Sequence, residues 1–275
     1  IINTHILSGS KIVLNNSSIF EKNFWHKINK YKITSFGGVP QFYEQLKKIK
    51  FDNFNLSSIK YFTQAGGKLD KDSLKYFIQI CKNKKIKFIV MYGQTEASPR
   101  MSYLKWNDLP FKIDSIGKPL SGSKFKIFNN KAQEIKRPFL IGELVYFGKN
   151  VSLGYAKNTK DLTKGNTNKG KLFTGDLAYK DKDGFFYISG RKNRISKVFG
   201  VRIDLDDIEK QLKKNNYKVK CVPSNRYLKV LVIKDYNIDN IKNIVQNLYR
   251  INKNFIHILK VKQFNRQNYF KEMIK

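Results

Sequence analysis

Residues 88–96 read FIVMYGQTE, and this stretch predicts the fold of the chain. Its apolar beginning is typical of a buried strand in a parallel sheet. Its last five residues, Tyr92-Gly93-Gln94-Thr95-Glu96, form a polar loop directly after that strand, and such loops lie at the edge of a parallel sheet that binds ligands. An aromatic ring there can stack on a purine, a threonine can bind phosphate oxygens and a glutamate can ligate Mg²⁺. Taken alone, the five residues are equally compatible with an ordinary turn.

The segments around this stretch alternate between strand and helix patterns. Helices are predicted at 17–32, from Pro40 through Leu46, and at 72–82, and strands at 33–36, 59–63 and 86–91. Strands that alternate with helices predict a largely parallel sheet covered by helices.

After residue 115 the pattern changes to short alternating segments at 125–128, 142–147, 176–180 and 185–188, which predict antiparallel strands. A further change follows residue 190, with helices predicted at 204–213 and 237–252 and strands at 218–222 and 229–233. We therefore predict an α/β fold with a parallel-sheet subdomain plus a small antiparallel β subdomain, followed by a small mobile α+β C-terminal domain. The expected domains are 1–192 and 193–275.

Two further motifs carry residues suited to a nucleotide. Asp176 begins a predicted strand after a glycine turn, where a carboxylate can accept hydrogen bonds from ribose hydroxyls; the alternative is an aspartate that caps a local turn. Arg191 follows a strand end and can reach ribose or phosphate with its planar guanidinium; the alternative is a basic hairpin. Lys197 and Gly200 follow, and Gly200 marks a point where the backbone turns or approaches a ligand closely.

Composition limits the class of protein less than the motifs do. The chain carries 54 Lys and Arg against 21 Asp and Glu, a formal net charge of +33, which raises nucleic acid and anionic membranes as partners. The lysines are spread through almost every segment among Asn and Ile residues, so A/T-rich coding explains them and we do not expect a nucleic-acid partner. No run of about eighteen apolar residues indicates a membrane span. Two distant cysteines, Cys81 and Cys221, indicate neither a metal knuckle nor a disulfide framework, so we expect a cytoplasmic protein.

The order of the motifs along the chain is more specific than any one motif alone. In that order, the chain resembles the adenylate-forming (ANL) superfamily of AMP-binding acyl-CoA synthetases, nonribosomal adenylation domains and luciferases. The resemblance covers nearly the whole chain, strongly from Asn3 to about Glu209. The segments that carry it read NTHILSGSKIVL, FGGVPQFYEQL, TQAGGKL, YGQTE, SIGKPLSG, GELVYFGKNVSLGY, FTGDLAYKDKDGFFYISGR and KVFGVRIDLDDIE.

This resemblance implies a site for ATP and Mg²⁺. By resemblance, Ala65, Gly66 and Gly67 line one side of the adenine and Tyr92 lies on its other face. Gly93 and Gln94 also belong to the nucleotide-binding residues. Thr95 contacts the α-phosphate and Glu96 holds Mg²⁺. Asp176 binds the ribose hydroxyls, with Arg191 near the same sugar.

The C-terminal part departs from the family's pattern at two places. Asn193 stands at the hinge position, where the family usually has Asp or Lys. Lys271 is the candidate for the family's adenylation lysine; Arg266 keeps its interval to Lys271, but Asn265 and Phe270 replace a proline and a glycine of the motif. A cation at Lys271 would neutralise charge while an acyl-adenylate forms.

The reaction implied is ATP-dependent activation of a carboxylic acid to an acyl-adenylate, followed by transfer to the thiol of coenzyme A or of a phosphopantetheine on an acyl carrier protein. The stretch with Lys197 and Gly200 is expected to face the active site in the second step. The family's upstream phosphate loop finds no match, so we expect that the N-terminal half of the enzyme lies outside this chain and that the isolated chain is poorly active. Two alternatives remain: a non-catalytic fragment that acts as a binding module, and a basic nucleic-acid-binding protein.

Overall fold

The computed structural model describes residues 2–198, 201–222 and 227–264, and of Asn3, Asn193, Lys197 and Arg202 only the backbone. The chain divides into two compact units. Unit 1 consists of Ile1–Leu140, Val145–Thr174 and Tyr179–Ile188, and unit 2 of Ile141–Leu144, Gly175–Ala178 and Ser189–Lys275. The predicted boundary at residue 193 stays a prediction.

The first part of the chain supplies four helices and nine strands. Strands β1, β2 and β3 pair in parallel, and β3, β4, β5 and β9 pair antiparallel. The strand order in this sheet is β1-β2-β3-β4-β5-β9-β8-β7-β6. The elements are α1 (Ile2–Leu7), α2 (Lys22–Lys30), β1 (Ser35–Gly38), α3 (Pro40–Lys48), β2 (Tyr61–Gln64), α4 (Lys71–Asn83), β3 (Lys87–Tyr92), β4 (Ser102–Leu104), β5 (Ser115–Pro119), β6 (Lys124–Phe128), β7 (Gly142–Phe147), β8 (Lys171–Lys180) and β9 (Phe186–Arg191).

Helix α4 shows why the parallel part folds as it does. Asp70 caps its first turn by accepting a hydrogen bond from the backbone N–H of Ser73 at 2.9 Å. Its apolar residues recur at helical spacing and are buried, and the ring of Phe77 lies 5.5 Å from that of Phe88 on β3. Tyr43 of α3 also contacts Phe88, with ring centroids 5.1 Å apart. One face of β3 is therefore covered by α3 and α4.

Unit 2 has its own apolar core, formed around two small sheets. Strands β10 and β11 pair antiparallel, β12 pairs antiparallel with β13, and β13 pairs in parallel with β14. Asp204 caps α5 by accepting hydrogen bonds from the N–H groups of Asp206 and Asp207. The elements are β10 (Ile195–Val198), β11 (Val201–Asp204), α5 (Leu205–Lys214), β12 (Val219–Val222), β13 (Leu228–Val232), α6 (Ile238–Tyr249) and β14 (Ile256–Lys260).

The fold class predicted from the sequence is confirmed. The parallel strands, the antiparallel strands and the α+β arrangement at the C-terminal end are all present, and the structure adds that the antiparallel strands continue the same sheet. Helix α2 begins at Lys22, later than predicted, because Ser17–Glu21 forms a turn in which the Glu21 carboxylate accepts a hydrogen bond from the N–H of Ser18 at 2.7 Å. Helix α6 ends at Tyr249, earlier than predicted, because Arg250 takes a left-handed conformation with φ 53°.

Candidate active site

The 92–96 loop, Tyr92 to Glu96, lies at the carboxyl end of β3, as the sequence predicts. Thr95 and Glu96 lie in a short 3₁₀ turn, Thr95–Ala97, in which Thr95 is exposed and Glu96 is half-buried. The amide of Gln94 donates to the backbone carbonyl of Thr174 at 2.8 Å. Tyr92 is half-buried, and its ring lies 6.1 Å from that of Phe125 in an edge-on arrangement. The loop is thus held at Tyr92 and Gln94, while Thr95 is exposed.

Glycine is required at position 93 by the close approach of the next segment. A Cβ at Gly93 would lie 1.7 Å from the backbone oxygen of Pro99 and 3.1 Å from the Cα of Arg100. The loop returns past Gly93 because Met101 donates its N–H to the carbonyl of Tyr92 at 3.0 Å. The glycine of this motif therefore serves backbone packing in unit 1.

Glu96 makes a side-chain contact that the sequence did not indicate. The hydroxyl of Tyr155 donates to Oε1 of Glu96 at 2.6 Å, and the backbone N–H of Ser152 donates to the carbonyl of Glu96 at 2.7 Å. The bond from Tyr155 lowers the pKa of Glu96, and the same bond raises the pKa of Tyr155. Glu96 therefore stays ionised to a lower pH than an ordinary glutamate, and a ligand for a hard cation has to be ionised.

Asn150, like Tyr155, supports this region and is not predicted from the sequence. Its side-chain N–H₂ group donates to the carbonyls of Ala97, at 2.5 Å, and Arg100, at 2.8 Å, while its Oδ1 accepts from the hydroxyl of buried Tyr146 at 2.8 Å. Its position within GELVYFGKNVSLGY was the available signal. No local pattern reveals a hydrogen bond between residues about fifty positions apart, and so Asn150 was not singled out.

Ala65, Gly66 and Gly67 form the turn that follows β2. Ala65 donates its N–H to the carbonyl of Gly38 at 3.2 Å, and buried Gln64 donates its side-chain N–H to the carbonyl of Gly67 at 2.8 Å. Gly66 has φ +81° and Gly67 φ +158°, conformations that side chains with a Cβ rarely adopt. Because β2 and β3 are parallel neighbours, this turn and the 92–96 loop lie at the same edge of the sheet.

Asp176 and Arg191 are brought together in unit 2. Asp176 is 4% exposed on β8, and its Oδ1 lies 3.1 Å from Nε of Arg191 at the end of β9. The Arg191 side chain is 62% exposed, so the buried carboxylate holds one end of a guanidinium that is otherwise in solvent. The resemblance implies that both residues lie near a ribose; that role stays a prediction, and the structure shows that the two side chains are adjacent.

The remaining predicted site residues belong to the C-terminal part of the chain. Lys197 lies on β10, where its backbone pairs with Arg202. Gly200 and Lys271 lie outside the described residues. Asn193, the expected hinge, lies in the short 3₁₀ turn Lys192–Arg194.

The described part of the chain contains neither a preformed metal cluster nor a candidate membrane span. Within 2–198, 201–222 and 227–264, no group of three or more His, Cys, Asp or Glu side chains is arranged to hold a metal ion. In the same part of the chain, no helix has both the length and the apolar character needed to cross a bilayer.

Comparison with known proteins decides the family. The sequence profile of the AMP-binding enzymes matches residues 1–156, more than half of the chain. The chain belongs to the AMP-binding enzyme family. Among curated relatives in this family, a long-chain-fatty-acid–CoA ligase of Bacillus subtilis is 32% identical over 67% of this chain and 32% of its own length. A 2-succinylbenzoate–CoA ligase of Bacillus cereus is 35% identical over 50% of this chain and 28% of its own length.

Solved structures of AMP-binding enzymes share the fold. An o-succinylbenzoate CoA synthetase from Bacillus subtilis, in complex with its acyl-adenylate intermediate, superposes with a TM-score of 0.72 and 22% identity, covering 96% of this chain and 55% of that one. The same synthetase with ATP and a magnesium ion gives a TM-score of 0.71. The chain therefore spans about half the length of the structures, and about a third of the length of the curated relatives, that it matches.

Proposed function

We propose that this chain carries the adenosine and metal side of an ATP-dependent ligase that activates a carboxylic acid and transfers it to a thiol. The observation that carries the proposal is the 92–96 loop of an AMP-binding enzyme, with Glu96 ionised and bonded to Tyr155 and with Thr95 exposed. The names of the curated relatives, which are CoA ligases, support coenzyme A as the thiol. The thiol of a pantetheine on a carrier protein is the alternative acceptor of the acyl group.

The roles that we propose for single residues follow from their chemistry. Ala65, Gly66, Gly67 and Tyr92 bind the adenine, because glycine backbone and an aromatic ring both present flat surfaces to a base. The hydroxyl of Thr95 donates to a phosphate oxygen.

On the ribose side, the carboxylate of Asp176 accepts hydrogen bonds from the two hydroxyls of the sugar, with the Arg191 guanidinium beside it. Catalysis in this scheme consists of positioning and charge neutralisation, with no covalent bond to the protein.

The residues present fit a magnesium ion bound together with a nucleotide. Mg²⁺ usually takes one or two carboxylates from the protein and completes its shell with phosphate oxygens and water. Glu96 supplies a carboxylate whose lowered pKa keeps it charged, and the hydroxyl of Tyr155 orients it. The ion would neutralise phosphate charge, while Glu96 and Tyr155 would set its place.

The family resemblance carries the roles of Lys271, Lys197 and Gly200 in the two half-reactions. We propose that Lys271 neutralises charge during adenylate formation and that Gly200, with Lys197 nearby, admits the pantetheine arm in the thioester step. The C-terminal domain that the sequence predicts from residue 193 onward would reorient between the two steps. The free, buried thiols of Cys81 and Cys221 suit a reducing, cytoplasmic setting.

Binding of an acyl-sulfamoyl-adenosine, a stable mimic of the adenylate, tests the proposal by calorimetry. We expect the wild-type chain to bind it and Asp176→Asn to weaken binding about tenfold or more, because the ribose hydroxyls lose a charged acceptor. Asp239→Asn, an exposed carboxylate in the first turn of α6, is the matched control and is expected to bind as wild type does. Absence of binding to the wild type, or equal affinity of Asp176→Asn and wild type, would contradict the proposal.

A further inference from the structure

Arg100 is a half-buried cation whose only side-chain hydrogen bond in the described part of the chain goes to a sulfur atom. Its Nε donates to Sδ of Met91 at 3.1 Å, and in the described residues it forms no ion pair. A thioether is a weak acceptor and leaves most of the guanidinium's donors for another group. Holding a guanidinium partly out of water without an anion costs free energy, which a bound anion would offset.

The obvious internal partner of Arg100 is engaged elsewhere. Glu96 lies four positions earlier on the same loop, yet its carboxylate is bonded to Tyr155, and no ion pair joins it to Arg100. The backbone of Arg100 is fixed as well, because its carbonyl accepts from Asn150 at 2.8 Å. The cation is therefore placed by the protein and is not neutralised by the acid nearest in sequence.

The face of β3 that carries Met91, the contact of Arg100, is mostly apolar and half-buried. Phe88 and Val90 of β3 pack in the core of unit 1, so alternation places Ile89 and Met91 on the opposite face of the sheet, where both are half-buried. Thr63 of β2 pairs with Ile89 and lies on that same face. An apolar wall that ends in a guanidinium suits an organic anion, whereas a polyphosphate would gain nothing from the wall.

We propose that Arg100 selects an acid with a second anionic group, a dicarboxylate whose distal carboxylate pairs with the Arg100 guanidinium while the other is activated beside Thr95 and Glu96. The proposal deepens the proposed function and rests on it. Arg100 would set specificity and take no part in the bond-making step. Its planar fork matches a carboxylate in a bidentate fashion, which a lysine cannot reproduce.

Pairs of acyl-sulfamoyl-adenosines test this specificity by calorimetry. Each pair consists of the mimic made from a dicarboxylic acid (succinic, glutaric or adipic) and the mimic made from its half-amide, which has the same shape and no distal charge. For at least one chain length, we expect the wild type to bind the charged mimic about tenfold or more tighter than the neutral one. Arg100→Gln should bind the two mimics of a pair with equal affinity. Arg100→Lys should retain only part of the wild-type preference for the charged mimic.

The outcomes separate this proposal from the proposed function. Equal binding of charged and neutral mimics by the wild type at all three lengths would overturn the role of Arg100 and leave adenylate binding intact. A preference for the charged mimic that survives in Arg100→Gln would overturn the role of Arg100 as well. The same holds if Arg100→Gln melts like the wild type but loses affinity equally for the charged and the neutral mimic. Binding of neither mimic to the wild type would overturn the proposed function and this proposal with it.

Discussion

At the scale of single residues, Gly93 is the position where the motif is least replaceable. We expect Gly93→Ala to lower the free energy of unfolding by about 2–4 kcal/mol, because its Cβ would overlap backbone atoms that cannot rotate away. Urea denaturation followed by circular dichroism measures the loss.

Gly122→Ala is the control for this substitution. Gly122 has φ +75° and no atom within 4 Å of an added Cβ, so its replacement carries only the backbone strain of about 1–2 kcal/mol. If the two variants lost equal stability, the clash with Pro99 would not be the cause.

Single residues also show what sequence alone could reach. Tyr92, Thr95, Glu96, Asp176 and Arg191 were singled out because their chemistry suits a nucleotide and their motifs occur in a familiar order. The residues that hold this region in place are not predicted from the sequence, because they act through hydrogen bonds between distant segments, which local patterns do not encode. The residues in question are Asn150, Tyr146 and Tyr155.

At the scale of elements, the turn between β8 and β9 is organised by one carboxylate. Oδ1 of Asp181 accepts from the N–H groups of Asp183 and Phe185, and Oδ2 accepts from Lys112 at 2.9 Å and from the hydroxyl of Tyr187 at 3.2 Å. Burial alone would raise the pKa of Asp181, but the bonds from Lys112 and Phe185 outweigh it, so its pKa lies below the ordinary value of 3.8.

Asp181→Asn is therefore expected to destabilise the protein in a pH-dependent way. A depressed pKa in the folded state contributes stability above the unfolded pKa, and this contribution is lost as pH falls through the folded pKa. We expect a loss of about 1–3 kcal/mol at neutral pH that shrinks as pH drops below about 4. Chemical denaturation between neutral pH and pH values below about 4 measures the loss of stability. The control is Asp183→Asn, at a more exposed residue of the same turn. A difference that is independent of pH would contradict the assignment.

Strands and helices were predicted unevenly from the sequence, for physical reasons. Helix α4 was found to within one residue at each end because its cap and its apolar spacing are both local signals. Strand β5 is not predicted from the sequence, because it contains Gly117 and Pro119, which are uncommon inside strands. Only glycine fits at position 117, because a Cβ there would lie 1.9 Å from the carbonyl oxygen of Tyr103. Strand β14 was missed because its parallel pairing with β13 is a long-range contact.

Arg194 links its own 3₁₀ turn to α5 and β12 through a partly buried ion cluster. Its Nε lies 2.7 Å from Oδ1 of Asp206, its Nη1 donates to the carbonyl of Cys221 at 2.6 Å, and its Nη2 pairs with Glu209. Oε2 of Glu209 in turn lies 2.8 Å from Nζ of Lys220. Burial disfavours the charge of Arg194, but Glu209 and Asp206 more than offset this and hold its pKa above the ordinary value.

Arg194→Met is expected to cost about 2–4 kcal/mol, because it leaves the largely buried carboxylate of Glu209 without its main partner. Adding Glu209→Gln should recover part of the loss, since the amide keeps an oxygen for the N–H of Cys221 and removes the charge. Lys220→Met removes a half-exposed partner and should cost less than about 1 kcal/mol. Thermal denaturation compares the variants, and a double variant less stable than Arg194→Met would contradict this account.

At the scale of the whole molecule, the net charge of +33 predicts non-specific attraction to polyanions. We expect fluorescence anisotropy to detect weak binding of duplex DNA at about 50 mM salt and its loss by about 200 mM, with no preference among sequences. Such binding would come from released counterions alone. Tight or sequence-dependent binding at the higher salt would instead support a nucleic-acid-binding function.

The two units have separate apolar cores, which predicts that they respond separately to mutation. Core 1, with Phe62, Phe77 and Phe88, and core 2, with Ile208, Val230 and Val245, have no residue in common. Local opening follows the contacts that a segment makes. Native-state hydrogen exchange should therefore show Arg194→Met accelerating exchange in α5, β12 and β13 while α3, α4 and β3 keep wild-type rates. Gly93→Ala should show the reverse pattern. Acceleration in both sets of elements by either substitution would mean that the two cores unfold as one cooperative unit.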